Sequence, residues 1–211
     1  VIRNSQNNIS IGRNIGVKKA KYETLIFLDD DTVLIDNNTL FLISELSQKS
    51  IYGYSAIRYW TKLGWYEKNK HVIDDNMVNG LRDHYGIDYS LPDPSIRDKE
   101  NNRHLIRTYI GNFGFVNRNA FIEIGMWDSS YTGYGVEDDA AAFALFSAYG
   151  RPTLLTEIEV VHITHRISKA NLNELSLNRQ KFDYYLKSKG IKEFHVGRLL
   201  YCEPNVIEYV E

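Results

Sequence analysis

The sequence predicts an α/β fold, and three observations support this prediction. Segments with strand character alternate with segments of helical character along most of the 211 residues. Residues 25–28 are a short run of branched and aromatic apolar residues, which is typical of a strand buried on both faces of a sheet. Residues 138–149 are strongly helical and are followed by Gly150, in the position where glycine commonly ends a helix. Together these features indicate an α/β sandwich.

The predicted elements follow one another in a regular order. Helices are expected at residues 14–21, 39–48, 119–124, 138–149 and 171–190, and strands at residues 25–28, 52–60, 105–116 and 154–162. Residues 61–103 interrupt this order, since they are polar, irregular and rich in aromatic side chains. A loop of this length inside a compact chain is usually functional or disordered. Its aromatic residues fit either a lid over a ligand or a cover for the sheet.

Composition and charge limit the classes of function. With 43% hydrophobic residues the chain can bury a sizeable core, and its net charge of -2 argues against a general nucleic-acid or membrane-surface binder. The single cysteine, Cys202, excludes an internal disulfide framework. No apolar run approaches the roughly 18 residues that span a bilayer. We therefore expect a cytoplasmic protein, either free or peripheral to a membrane, whose sequence begins partway into a domain.

Three consecutive carboxylates, Asp29, Asp30 and Asp31, directly follow the first apolar strand. Placing three acids at the end of a buried strand is costly unless a positive group lies beside them. At the carboxyl edge of an open α/β sheet, that positive group is commonly a divalent metal ion carrying a substrate phosphate. The sequence therefore predicts an oxygen-ligated metal site at this edge.

A second acidic cluster, Glu137, Asp138 and Asp139, follows a glycine-containing turn at the start of a predicted helix. Acids at a helix N-terminus are stabilised by its free amides and its dipole by about 0.3–1 kcal/mol each, so helix capping is one interpretation. Three acids in a row exceed what a cap uses, and the glycines allow another molecule to approach the backbone. We also expect the helix N-terminus to keep a carboxylate deprotonated, as a general base requires.

Two histidines, His162 and His165, lie at the end of the last predicted strand. Neutral imidazole is the commonest side-chain metal ligand, and a site with carboxylate and histidine ligands suits Mn²⁺. Positions three apart in a strand face opposite sides of the sheet, so one of the two is expected to bind the ion. We favour His162, which is nearer the body of the strand, and keep His165 in reserve.

In their order along the chain, these motifs resemble those of a known family. The segment RNIG at residues 13–16, followed by Ala20 and FLDDD at residues 27–31, is similar to the RNxG…A…FLDxD signature of GT-A glycosyltransferases of family 2. Residues 111–118 and 124–128 continue the match. Further on, residues 131–139 are similar to the GWGxEDD element of β-1,4-galactosyltransferases and chondroitin-type polymerases, with tyrosine where tryptophan is usual.

The resemblance covers most of residues 10–165 and implies a GT-A, Rossmann-like fold with a mixed, mainly parallel sheet flanked by helices. It implies one domain over residues 1–211 that lacks its first β-α elements. Residues 61–103 would then be an acceptor-side loop or insertion, and residues 168–211 a C-terminal helical tail.

The resemblance also implies a function, which is the metal-dependent transfer of a sugar from a UDP-sugar donor to a hydroxyl acceptor, expected to be a glycan. The sugar would be galactose, N-acetylgalactosamine, glucose or N-acetylglucosamine. On the donor side, Asp31 and His162 would bind Mn²⁺ or Mg²⁺, and Asp29 would lie near the ribose. Asp30 belongs to the same donor-side set without a role of its own. Arg13 would lie near the nucleotide, although a solvated cation at a helix start is an equally good interpretation.

On the acceptor side, the resemblance implies that Asp138 is the general base of an inverting, in-line transfer. Glu137, its neighbour, would form a hydrogen bond with the donor sugar or with the acceptor. No nucleic-acid partner is expected.

Two other interpretations fit part of the sequence. Residues 29–34 also resemble the opening of haloacid-dehalogenase phosphatases, in which Asp29 would be the phosphorylated nucleophile. That interpretation lacks a lysine-bearing element and leaves His162 unexplained. The other alternative is a catalytically silent carbohydrate-binding relative, against which the joint presence of Asp31, Asp138 and His162 argues.

Overall fold

The computed structural model describes residues 8–34, 37–60, 113–150, 152–163, 168–194 and 207–209. Its helices are α1 (Ile9–Lys19), α2 (Thr39–Ser47), α3 (Arg118–Glu123), α4 (Glu137–Tyr149) and α5 (Lys169–Ser188). Its strands are β1 (Thr24–Leu28), β2 (Thr32–Leu34), β3 (Tyr52–Trp60), β4 (Phe113–Asn117), β5 (Thr153–His162), β6 (Ile191–Phe194) and β7 (Ile207–Tyr209). The loop expected at residues 61–103 and the reserve ligand His165 lie outside the described residues.

Five of the strands form one sheet in the order β1-β4-β3-β5-β2. Strands β3 and β5 are parallel, whereas β1–β4, β4–β3 and β5–β2 are antiparallel pairs. The mixed α/β class is confirmed, but the described sheet is not mainly parallel as expected. The reason is that β4 runs against both of its neighbours, so one reversed strand makes two pairings antiparallel. Alternation of strands and helices in a sequence does not reveal such a reversal.

The three acidic residues after β1 form the link between two distant parts of this sheet. Only Asp29, Asp30 and Asp31 separate β1 from β2, yet these strands stand at opposite ends of the strand order. The Thr32 amide donates to the Asp29 carbonyl at 3.1 Å, which closes a tight turn. The Ile163 amide donates to the Asp31 carbonyl at 2.7 Å and ties this turn to the end of β5.

Strand β4 forms the centre of the hydrophobic core, because its side chains are buried on both faces. Phe113 and Phe115 pack on one face in a cluster that includes Ile43 of α2. Val116 packs on the other face in a cluster that includes Val17 of α1 and side chains of α4. Two layers of helices thus cover the sheet, with α1 and α4 on the same face.

Strand β1 differs from the expectation that both of its faces are buried. Leu25 is buried, but Ile26 is 39% exposed and Leu28 is 48% exposed. Among the described strands β1 pairs only with β4, and it therefore lies at an edge of the sheet that these strands form. An apolar run of four residues indicates a strand but does not show its position in a sheet.

The C-terminal part is helical only through Ser188, the last residue of α5. Gly190 has a φ of +73°, in the left-handed region that commonly ends helices, and the chain continues into β6. Strand β6 pairs antiparallel with β7, so the tail expected at residues 168–211 is not helical throughout. Within the described part of the chain, none of the helices has the length and apolar character needed to cross a membrane.

Candidate active site

The guanidinium of Arg13, in the middle of α1, contacts three carboxylates from two other elements. Its Nη2 lies 2.8 Å from Oδ1 of Asp29, at the end of β1. Its Nη1 lies 3.4 Å from Oε1 of Glu137 and 3.2 Å from Oδ1 of Asp138, in the first turn of α4. The side chain of Arg13 is 15% exposed, so it is not the solvated cation of the alternative interpretation. One largely buried cation therefore joins the acid triplet to the second acidic cluster.

Asn14 and Trp127 determine where this guanidinium lies. The Asn14 amide donates to the Trp127 carbonyl at 2.7 Å, and its oxygen accepts from the Trp127 amide at 3.0 Å. The buried indole packs against Phe27 and Phe121, with ring centroids 5.3 and 5.5 Å apart. Cζ of Arg13 lies 4.6 Å from the indole centroid, a favourable cation–π contact. The sequence motifs include Asn14 and Trp127, but sequence reasoning assigned them no role.

The three acids at the start of α4 have different partners. Glu137 and Asp138 contact Arg13, whereas Oδ2 of Asp139 lies 2.7 Å from Nη2 of Arg179 on α5. The N-cap residue of α4, Val136, makes no side-chain capping hydrogen bond. Helix capping alone therefore does not account for this cluster, because two of its acids face a cation from α1.

The turn before α4 has an unusual backbone. Gly133, Gly135 and Val136 have φ angles of +74°, +84° and +76°. This conformation is strained for a β-branched residue such as Val136, and it persists only where the surroundings hold it. A Cβ at Gly133 would collide with the Glu174 carboxylate, and one at Gly135 would lie 2.6 Å from Cδ1 of Leu175. The glycines were expected to admit a ligand, but here they make room for α5.

Asp31 and His162 form a second pair on the other side of the acid triplet. Oδ2 of Asp31 lies 3.4 Å from Nε2 of His162, because β2 pairs Thr32 opposite His162 at the end of β5. The turn thus directs Asp29 towards Arg13 and Asp31 towards His162, and Asp30 is exposed. The structure brings together the two residues that the sequence predicted as metal ligands.

This pair fits two positions of an octahedral ion, whose adjacent ligands at about 2.1 Å lie about 3 Å apart. A carboxylate oxygen and an imidazole nitrogen suit Mn²⁺. Within the described ranges, no cluster of three or more His, Cys, Asp or Glu side chains could hold a metal ion. Substrate phosphates and water commonly supply the remaining ligands of ions that bind phosphates.

Burial dominates the electrostatics of the carboxylates around Arg13. It raises the pKa of Asp138 to about 8; Arg13 opposes this shift, while Glu137, Asp29 and Asp139 add to it. Burial also raises the pKa of Glu137 and of Asp29, again against the attraction of Arg13. The expectation that the helix N-terminus keeps Asp138 deprotonated is therefore wrong for this structure, because desolvation of the carboxylate outweighs the favourable charges.

The ring of Tyr134 lies within electrostatic range of both acidic clusters. Burial raises the pKa of its hydroxyl, and the charges of Glu137, Asp31, Asp29 and Asp138 raise it further. Tyr134 is the residue that stands where the resembling motif has tryptophan. The charges of both acidic clusters therefore act on the Tyr134 hydroxyl.

The family follows from the sequence match. Residues 1–125 match the family described as Glycosyl transferase family 2. The chain belongs to glycosyl transferase family 2. In this family 2 glycosyltransferase, the matched residues include Arg13 and the acid triplet but end before α4 and His162. The likeness of residues 131–139 to β-1,4-galactosyltransferases and chondroitin-type polymerases stays a prediction.

The fold of this family 2 glycosyltransferase is similar to that of a solved glycosyltransferase, GalNAc-T7, whose crystal structure contains UDP, GalNAc and Mn²⁺. The similarity has a TM-score of 0.54 at 16% sequence identity and covers 90% of the present chain. The chain spans 38% of the length of that protein. No curated protein matches the sequence. The comparison confirms a GT-A fold.

Proposed function

We propose that this glycosyltransferase transfers a sugar from a UDP-sugar to a hydroxyl group of a glycan, with inversion at the anomeric carbon. The observation that carries the proposal is the contact of Arg13 with both Asp29 and Asp138, which places a candidate base beside the candidate donor site. Family membership supports glycosyl transfer. The UDP and Mn²⁺ in the structure of GalNAc-T7 support the choice of nucleotide and metal.

On the donor side, Asp31 and His162 would hold Mn²⁺ or Mg²⁺. When bound, such an ion supplies Lewis-acid stabilisation of the leaving diphosphate. Asp29 is proposed to lie near the ribose, with its carboxylate held by the hydrogen bond from Arg13. Arg13 would place positive charge beside the nucleotide. Asp30, which is exposed, belongs to the same acidic edge.

On the acceptor side, the Asp138 carboxylate takes the proton of the acceptor hydroxyl. The hydroxyl oxygen forms a bond to the anomeric carbon while the bond from that carbon to the diphosphate oxygen breaks on the opposite face. With a pKa raised to about 8, the Asp138 carboxyl is ionised in a minority of molecules at neutral pH, and the fraction that can act as a base grows as the pH rises through that value. Glu137, in the same helix turn, would form a hydrogen bond with the donor sugar or the acceptor.

The phosphatase alternative requires Asp29 as a nucleophile. In the structure this carboxylate is instead part of an ion pair, with its Oδ1 2.8 Å from Nη2 of Arg13. Family membership favours glycosyl transfer over phosphate-ester hydrolysis. The other alternative is a catalytically silent carbohydrate-binding relative. Such a protein would bind the donor without turning it over, and this distinguishes it from an enzyme.

A screen of UDP-sugars with Mn²⁺ tests the proposed function. We expect UDP-galactose or UDP-N-acetylgalactosamine, followed by the two gluco-configured donors, to raise the melting temperature and to release UDP slowly by hydrolysis. ADP-glucose is the control for the nucleotide, and EDTA is the control for the metal. Binding without release of UDP, with or without oligosaccharide acceptors, would instead indicate a silent relative. Phosphate release from a simple phosphate ester would indicate the phosphatase.

Replacing Arg13 by methionine is expected to move the acidic limb of the pH profile of kcat/KM upwards by about one unit or more. Arg13 is the cation that contacts Asp138, while Glu137, Asp139 and Asp29 present negative charge to it. Removing the cation therefore raises the pKa of Asp138, and a higher pH is needed to ionise the base. The measurement is the rate of transfer between pH 5 and pH 9.

The matched control for this change is Arg179→Met, which removes a cation that pairs with Asp139 instead. It should move the acidic limb less than Arg13→Met does. Equal shifts in the two variants would show that the acidic limb of the pH profile of kcat/KM does not depend on the contact between Arg13 and Asp138.

A further inference from the structure

Helix α5 binds the turn that precedes the candidate base. Nδ2 of Asn178 donates to the carbonyl oxygens of Thr132, Tyr134 and Gly135, at 3.0, 3.2 and 3.0 Å. Asn178 is 7% exposed and is a buried polar residue of a helix whose other buried side chains are Phe182 and Leu186. Backbone carbonyls removed from water require hydrogen-bond partners, and here three partly buried carbonyls share the two N–H groups of one amide.

The next residue of α5, Arg179, contacts the chain on the C-terminal side of Glu137 and Asp138. Arg179 pairs with Asp139, which directly follows Glu137 and Asp138. Consecutive residues of α5 therefore hold the chain before and after the two acids that contact Arg13. The close approach of α5 to Gly133 and Gly135, described above, adds packing to these polar contacts.

The strain in the turn explains why such support is needed. Val136 has a φ of +76°, which a valine leaves readily unless its neighbours fix it. Val136 is also the N-cap of α4, so a change in its backbone would rotate the first helical turn and displace Glu137 and Asp138. The contacts from Asn178 oppose that change because they hold carbonyls of the turn up to Gly135, the residue immediately before Val136.

We infer that Asn178 is a positioning residue for the transfer reaction, holding the turn at residues 132–136 so that Asp138 meets the acceptor hydroxyl. This inference rests on the proposed function. A misplacement of about 1 Å costs about 100-fold in rate when a reaction depends on orientation. Asn178 lies on an element separate from Asp31 and His162, so we expect binding of UDP and Mn²⁺ not to depend on it.

The test compares Asn178→Asp with Asn173→Asp, a control at an exposed asparagine of the same helix. The ionised aspartate has the shape of asparagine but no N–H to donate, and it faces three carbonyl oxygens. We expect kcat for transfer to fall about 100-fold, with Kd for UDP and Mn²⁺ unchanged within about twofold. The control should keep the wild-type values of both constants.

A second variant, Asn178→Ser, keeps one hydrogen-bond donor, a hydroxyl, on a shorter side chain. It replaces the aspartate variant in the test if that variant does not fold. Its kcat should fall between those of the wild type and Asn178→Asp. Wild-type kcat per folded molecule in both variants, with only a lower melting temperature, would overturn the inference.

Hydrogen–deuterium exchange at residues 133–138 gives a readout without turnover. Exchange should be faster in Asn178→Asp, and unchanged exchange would overturn the inference. Failure of the wild-type protein to transfer any sugar would instead contradict the proposed function.

Discussion

Replacing Asp138 by asparagine is expected to reduce the rate of sugar transfer by about 10²–10⁴-fold, the range that a general base contributes. Asparagine has the same shape and can still accept a hydrogen bond from Arg13, but it cannot take a proton. Asp138 lies beside Arg13 and not beside the pair of Asp31 and His162. UDP binding in the presence of Mn²⁺ should therefore not be weakened. Initial rates with the donor found in the screen, together with calorimetric titration of UDP, measure both quantities.

Asp139→Asn is the matched control, since Asp139 is in the same helix turn but pairs with Arg179. We expect it to lower the rate less than about tenfold, because the loss of one partly exposed ion pair affects stability more than chemistry. An equal loss in both variants, or full activity in Asp138→Asn, would remove Asp138 from the role of base.

Asp31→Asn and His162→Ala are each expected to weaken UDP binding in the presence of Mn²⁺ by at least about 100-fold. Each variant removes one of two ligand atoms that lie 3.4 Å apart. Without metal, both variants should bind UDP as the wild-type protein does, which separates loss of the ion from damage to the nucleotide site. Titrations with Mn²⁺ and with EDTA make this comparison.

His165→Ala provides the comparison for the histidine. It should leave metal-dependent binding intact if His162 is the ligand. Should His165→Ala weaken UDP binding while His162→Ala does not, the reserve assignment would be the right one.

The sequence predicted the parts of the site that depend on local pattern. The acid triplet was predicted to follow one apolar strand and His162 to end another, and the structure brings Asp31 and His162 together through the pairing of β2 with β5. The start of α4 was predicted to within one residue, because glycines and acids mark a helix N-terminus.

The sequence did not predict features that depend on packing between distant segments. The partners of Arg13 on α4 are more than a hundred residues away, and no local pattern links them. The raised pKa of Asp138 arises from burial, which helix dipole arguments do not include. Asn178 stands in an ordinary amphipathic helix, where nothing nearby in the sequence distinguishes a buried asparagine from an exposed one. Strand direction was missed for the same reason, since it follows from chain reversals between elements.

The shared guanidinium of Arg13 has a thermodynamic consequence for the two halves of the site. If the phosphates of a bound donor attract the guanidinium of Arg13, the Asp138 anion loses part of its stabilisation. The affinity of Asp138 for a proton then increases. Because linkage between binding equilibria is reciprocal, protonation of Asp138 must strengthen donor binding by the same factor. Proton uptake and nucleotide capture would then be measured as one coupled equilibrium, with an affinity for UDP that rises as the solution becomes more acidic.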